Sequence, residues 1–197
     1  MNQIDSTTLF FAAIFTNNIL LTNFLGLCPF LSISKQLRSA FGLGIAVAFV
    51  MASTAALNHL VYYNLLLPFH LEHFRYIVFI IIIASFVQLV EMAIERFFPA
   101  LYYMLGIFLP LITVNCAILG VSLFMIIREY TLVQSVSYGA GSGIGWFLAI
   151  ITIGTIREKI EGKTKLPKGL EGPAITLIIT GILSLAFIVF SGMVRVQ

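Results

Sequence analysis

Charge is what this chain has least of. Asp, Glu, Lys and Arg make up 10% of its 197 residues, whereas a soluble domain carries about 25%. Hydrophobic residues make up 60%, and the mean hydropathy is +1.06. Such a chain cannot cover a water-facing surface, which excludes a soluble enzyme and a nucleic-acid binder. The pI near 9.0 is therefore no footprint of nucleic-acid binding. Period-two alternation is also missing from stretches such as IVFIIIIASFVQLV (77–90), which excludes the strands of a membrane β-barrel. No nucleotide-binding fingerprint is present, because GAGSG (139–143) lies inside an apolar run with no strand before it. No hydrolytic nucleophile stands with a base. His59, His70 and His73 lie in or near one loop at irregular spacing, unlike a metal site. What remains is an all-α integral membrane protein, a single membrane domain over residues 1–197.

The positions of the charges outline its architecture. Charge-free runs cover 6–34, 39–71, 76–90, 97–127, 130–156 and 172–194. A spanning helix needs about 20 apolar residues to cross roughly 30 Å of hydrocarbon. Five runs clear that length. The third does so only by taking Glu91, and also Glu95, into or near the membrane. Six transmembrane helices are expected. Asp5 and the absence of a basic residue before the first run argue against a cleaved signal peptide, so the first helix is expected to stay.

Six helices put Arg75, Arg128 and Arg195 on the side of the termini. Lys35, Arg38, Arg96, Arg157, Lys159, Lys163, Lys165 and Lys168 fall on the other. The positive-inside rule assigns the richer side to the cytoplasm. Both termini are then expected on the outer, periplasmic side of a bacterial inner membrane. The loop REKIEGKTKLPKGLEG (157–172) is expected in the cytoplasm, anchored at anionic lipid or touching a soluble partner.

Two runs depart from simple spanning helices. Residues 6–34 hold Asn17, Asn18, Asn23, Gly26, Cys28 and Pro29; residues 97–127 hold Pro99, Gly106, Pro110, Asn115, Cys116 and Gly120. Backbone groups freed in hydrocarbon cost several kcal/mol unless buried in protein. Interrupted segments at matching positions of two halves mark a midplane site in inverted-repeat proteins; two Pro-kinked packing helices are the plainer account. Phe41-Gly42-Leu43-Gly44 in one half matches Tyr138-Gly139-Ala140-Gly141 in the other. The expectation is two inverted three-helix repeats, about 7–98 and 99–194, with the first and fourth helices broken. The row Gly141, Gly143, Gly145 also suits close helix packing.

There are two cysteines. A 2Fe–2S centre normally takes four thiolates, so two are half a site, and a cluster would require a second chain to supply the rest. Inert buried thiols are the commoner case on composition alone, and an internal disulfide has no evident structural task. In straight helices Cys28 and Cys116 would lie at different depths; breaks in the helices let them approach one level.

At these residues the chain resembles one family. NFLGLCPFLSISK (23–35), LYYMLGIFLPLITVNCAILG (101–120), SYGAGSGIGWFLAI (137–150) and TIREKI (155–160) are similar to the small membrane subunits of the Na+-translocating NADH:quinone reductase (Nqr) and of the related Rnf complex. The similarity spans essentially residues 10–193. AFGLGIAV (40–47), ERFFPALY (95–102) and GSGIGWFLAI resemble the E-type subunit of Nqr; GLCPF (26–30) and the compact LLLPFHLEHFRY (65–76) resemble the A-type subunit of Rnf. The balance falls on the Nqr side.

The resemblance implies a mechanism. In this family the subunit pairs with a paralogous membrane subunit of opposite topology, the D type of Nqr or the E type of Rnf. Each chain provides two cysteines on half-helices to one intramembrane 2Fe–2S cluster, and Cys28 and Cys116 match those ligand positions. Electrons then pass from the peripheral NADH- or ferredoxin-side subunits towards membrane-bound flavin and, in Nqr, ubiquinone. Alternating access of the inverted-repeat pair couples this to Na+ movement. The chain alone is then neither enzyme nor pump, but one subunit of an oxidoreductase.

Further residues suit that role. Asn115 and backbone amides around Gly26 and Gly120 could donate hydrogen bonds to cluster sulfurs. Glu91 is a candidate for the ion path, since intramembrane carboxylates are usually functional; an interfacial acid near Arg96 is the alternative. Asn17, Asn18 and Asn23 could offer oxygens to a cation or bond across helices. A secondary transporter with a midplane site, or a scaffold subunit with inert cysteines, stays open.

Overall fold

The structure, a computed structural model, describes residues 5–33, 37–97, 109–161 and 173–191, and every regular element among them is helical. In chain order these are α1 (Ser6–Ile14), α2 (Ile19–Asn23), α3 (Leu27–Ile33), α4 (Leu37–Val61), α5 (Arg75–Phe97), α6 (Leu109–Thr113), α7 (Cys116–Ile127), α8 (Leu132–Glu161) and α9 (Pro173–Ser191). A π-helical turn, Tyr62–Leu66, extends α4, and a 3-10 turn, Glu72–Phe74, leads into α5.

Four stretches are long and apolar enough to cross a membrane: Ala40–Leu66, Glu72–Phe97, Pro110–Ile127 and Leu132–Ile160; Pro173–Val189 is shorter. The helix that was too short without its acids does run through Glu91 and Glu95, because α5 continues to Phe97. Large apolar side chains point outward in number, Phe97 at 73% and Val189 at 71% exposure among them, as a lipid-facing surface requires and a water-facing one would not tolerate.

Proline and asparagine set where the short helices begin. Pro29 stands in the first turn of α3, Pro110 in that of α6, and Pro173 opens α9. In a first turn the missing N–H has no acceptor to lose and the fixed φ suits the helix. After α1 the chain leaves helical geometry until Asn18, whose Oδ1 accepts the Leu20 N–H at 3.1 Å and starts α2. After α6 it does so again at Val114 and Asn115; Asn115 Oδ1 accepts the Ala117 N–H at 3.0 Å and starts α7. Asn115 follows Asn18 at the spacing at which Tyr138 follows Phe41.

The centre of the molecule is α8. Its glycines lie on two stripes, each of the i, i+4 kind that lets helix backbones approach. Gly139 and Gly143 face α4. A Cβ at Gly143 would stand 2.6 Å from the Ala48 Cα, and one at Gly139 would stand 3.0 Å from the Met51 carbonyl. Gly141 and Gly145 face α1, at 2.7 Å from the Phe10 carbonyl and 3.0 Å from the Ile14 carbonyl. Gly141 to Gly145 thus form the packing row expected of them, but they grip two different partners. Arg157 departs from its loop assignment. It lies within α8, buried, and its Nη1 donates to Thr176 Oγ1 on α9 at 3.0 Å. Residues 162–172 of that loop lie outside the described residues.

Candidate functional site around Cys116

Both helix interruptions meet at one sulfur. α7 opens on Cys116, so the positive end of its backbone dipole lies beside the thiol. Across from it, α2 ends at Asn23, Phe24 takes a left-handed conformation (φ 54°), and the chain turns through Leu25 and Gly26 into α3. The Gly26 N–H donates to Cys116 Sγ at 2.9 Å. Cys28 follows two residues later, at the start of α3. The two cysteine loops, far apart in sequence, are therefore in contact, as the broken helices allow. The two form no disulfide; Cys28 is exposed and Cys116 half-buried.

Glycine is required at position 26 for two reasons. Its φ is +83°, a region that a side chain disfavours. A Cβ there would also lie 2.6 Å from Trp146 Nε1, 3.1 Å from the Ala117 Cβ and 3.2 Å from Asn115 Oδ1. The turn is thus wedged between the indole of α8 and the first turn of α7. Trp146 Nε1 reaches the Gly26 carbonyl at 3.4 Å.

The two capping asparagines look alike in sequence and differ in their surroundings. Asn18 spends its amide on the fold, since Nδ2 donates to the Gly145 carbonyl at 2.7 Å and to Ile14 at 3.3 Å. Asn115 is equally buried, at 3% exposure, yet its Nδ2 has no acceptor among the described residues. A buried donor left unpaired costs roughly 1–3 kcal/mol, so it marks a place beside Cys116 where an acceptor belongs. The residue before Asn115, Val114 in the α6–α7 break, is 73% exposed.

Residues 6–194 match the family described as "Rnf-Nqr subunit, membrane protein". The chain belongs to this family. Among its relatives, the A-type subunit of the Na(+)-translocating ferredoxin:NAD(+) oxidoreductase complex of Acetobacterium woodii is 48% identical over 182 residues, 92% of this chain and 94% of the relative. The E-type subunit of the Na(+)-translocating NADH-quinone reductase of Serratia proteamaculans is 50% identical over 192 residues, 94% of this chain and 96% of the relative. That of Psychromonas ingrahamii is 46% identical over 195 residues, with 94% and 96% covered.

Of the other residues singled out in this family member, Gly120 borders the cysteine turn and Glu91 lies on a different helix. Glu91 is half-buried on α5, without a hydrogen-bond or ion-pair partner among the described residues, and Arg96 is exposed near the end of the same helix. Asn17 is half-buried and Asn23 exposed, and Gly120 sits within α7 with Leu25 packed over it. His59 lies on the α4 flank of its loop but is buried rather than solvated, with Nε2 and the Tyr130 carbonyl at 3.0 Å. No group of three or more metal-ligating side chains occurs among the described residues. Trp146 was not legible as a site residue. Its one signal was that a lone Trp in a glycine row, once buried, needs an acceptor for its N–H.

Proposed function

We propose that this chain is a membrane subunit of a Na+-translocating NADH:quinone reductase, of the E type, and that Cys28 and Cys116 hold half of a 2Fe–2S cluster shared with a paralogous chain. The contact between the Gly26 amide and Cys116 Sγ carries this reading. It joins the two cysteine loops and already presents to the sulfur the kind of backbone donor that tunes iron–sulfur centres. The unpaired Asn115 Nδ2 adds a second donor on the same side.

The residues fit such a group as a half-site. Two thiols can fill two of four ligand positions, and the open break at Val114 together with the exposed Cys28 leaves room for the chain that fills the rest. Irregular backbone at membrane depth persists only where protein covers it, so a partner of opposite topology suits this face. A cluster bound there would carry single electrons across the subunit boundary. The chain's own part is to hold two thiolates on half-helices and to supply amide donors. Family relatives named as subunits of Na+-translocating oxidoreductases support that setting.

The equal spacing of Asn18 to Asn115 and of Phe41 to Tyr138 supports two repeats, which three helices each would make inverted, and the excess of Lys and Arg on the other side supports both termini at the periplasmic side of the inner membrane. Ion movement would follow rocking of one repeat against the other, with Glu91 the intramembrane acid nearest to such a path in character. A second reading, the A-type subunit of an Rnf complex, is favoured by the 48% identity to the Acetobacterium protein and by GLCPF at the first cysteine.

Low-temperature EPR with iron analysis tests the assignment on the complex co-expressed with its paralogue. Loss of a 2Fe–2S signal in both Cys28→Ala and Cys116→Ala, with assembly intact, is the expected result. Survival of iron and signal in both would leave a transporter or scaffold.

A further inference from the structure

Trp146 is the only tryptophan in the chain and it is fully buried, at 0% exposure. Its Nε1 reaches the Gly26 carbonyl at 3.4 Å. That bond is long, so the volume of the indole counts as well as its N–H. The ring occupies the space that any side chain on Gly26 would take, at 2.6 Å. The residue before it, Gly145, accepts the Asn18 amide at 2.7 Å. One turn of α8 therefore grips the α2–α3 segment at both ends, at Asn18 where it starts and at Gly26 where it turns. Between these grips the segment carries no other side-chain bond to α8 among the described residues.

We infer that Trp146 is the positioning residue of the Cys116 site: by holding the carbonyl and the open face of Gly26, it aims the Gly26 N–H at Cys116 Sγ. Removing the indole frees the glycine to rotate, and the amide leaves the sulfur. A donor to a ligand sulfur stabilises the extra negative charge of the reduced state, so its loss favours the oxidised state. The aiming is a property of the chain alone; only its consequence for potential rests on the cluster reading.

Hydrogen exchange on the full chain in detergent, without iron, reads the aiming directly. The Gly26 amide is compared, within each molecule, with the α7 amides of Val121 to Met125, so that general loosening cancels. Trp146→Phe removes the N–H and Trp146→Leu removes the ring. Gly26 exchange should rise relative to α7 by about tenfold in either, the worth of one hydrogen bond. Thr152→Val, on the same helix with a hydroxyl bonded only to the Leu148 carbonyl, should leave it unchanged. An unchanged ratio in both Trp146 variants overturns the inference. Should they fail to fold, Gly26→Ala reads the same contact from the other side: the emission of the single tryptophan must shift, and an unshifted spectrum overturns it equally. In the co-expressed complex, the midpoint potential of Trp146→Phe should move negative. A wild-type complex with no cluster would sink the proposed function while leaving the exchange result to decide this one.

Discussion

Asn18 and Asn115 show how far a single residue type can be read. Each was visible in the sequence as an amide in an apolar run, and each caps a half-helix. Their second atoms could not be assigned that way, because the partner of Asn18 lies on α8, 127 residues further on. Trp146 was hidden for the same reason, being 120 residues from Gly26: periodicity reports which face is apolar, not which distant carbonyl meets it. The difference between the asparagines predicts different losses. Asn18→Ala removes a cap, worth about 1 kcal/mol, and also a buried bond to the Gly145 carbonyl, worth about 0.5–1.5 kcal/mol. Asn115→Ala removes a cap and at the same time a buried donor without an acceptor among the described residues, so the terms oppose. Thermal unfolding of the purified chain should rank Asn18→Ala clearly below Asn115→Ala. Equal melting temperatures would mean that the Gly145 contact adds nothing.

At the scale of elements, length and charge located four of the six expected spans as long apolar helices among the described residues and were poor guides to short ones. The continuation of α5 through Glu91 and Glu95 followed from the thickness of the hydrocarbon. The pieces α2 and α3 did not follow, because a helix of five to seven residues has no intrinsic stability and exists only where capping and packing select it. Arg157 was misplaced because charge alone suggested a loop, whereas Thr176 gives the guanidinium a buried partner. The glycines of α8 were legible as packing residues, and the structure separates those that matter from those that do not. Gly143→Val would drive a side chain into the Ala48 backbone, 2.6 Å from a Cβ, and should destabilise by about 1–3 kcal/mol, the usual penalty of overpacking. Gly181 on α9 has nothing within 4 Å of a Cβ, so Gly181→Ala should be neutral or stabilising by up to about 1 kcal/mol, through helix propensity. Melting temperatures in detergent check the pair, and a Gly143→Val protein as stable as wild type would mean that α4 and α8 do not pack at this distance.

For the whole molecule, the sequence said membrane and the family said complex, and the two meet on the open side of the α6–α7 break. The Asn115 backbone stays paired across the break, its N–H on the Ile112 carbonyl and its carbonyl on the Leu119 N–H, so its side-chain Nδ2 is the group left without an acceptor among the described residues. Val114, exposed at 73%, stands next to a buried donor without an acceptor among the described residues, which suits the proposal that a second chain covers this face. Cys28 provides a probe for this, since its thiol is exposed while Cys116 is half-buried behind the Gly26 turn. In membranes holding this chain alone, a small maleimide should label Cys28 faster than Cys116. If the proposed pairing holds, co-expression with the paralogous chain should slow labelling at Cys28 strongly, whether or not iron is supplied. Two substitutions sharpen the result. Val114→Trp, placed on the exposed break, should leave the fold of the single chain intact and restore Cys28 labelling in the co-expressed sample by holding the partner away. Phe97→Leu, on the lipid-facing end of α5, should do neither. If Cys28 is labelled equally with and without the paralogue, the covered face lies elsewhere on the molecule, and the shared site goes with it.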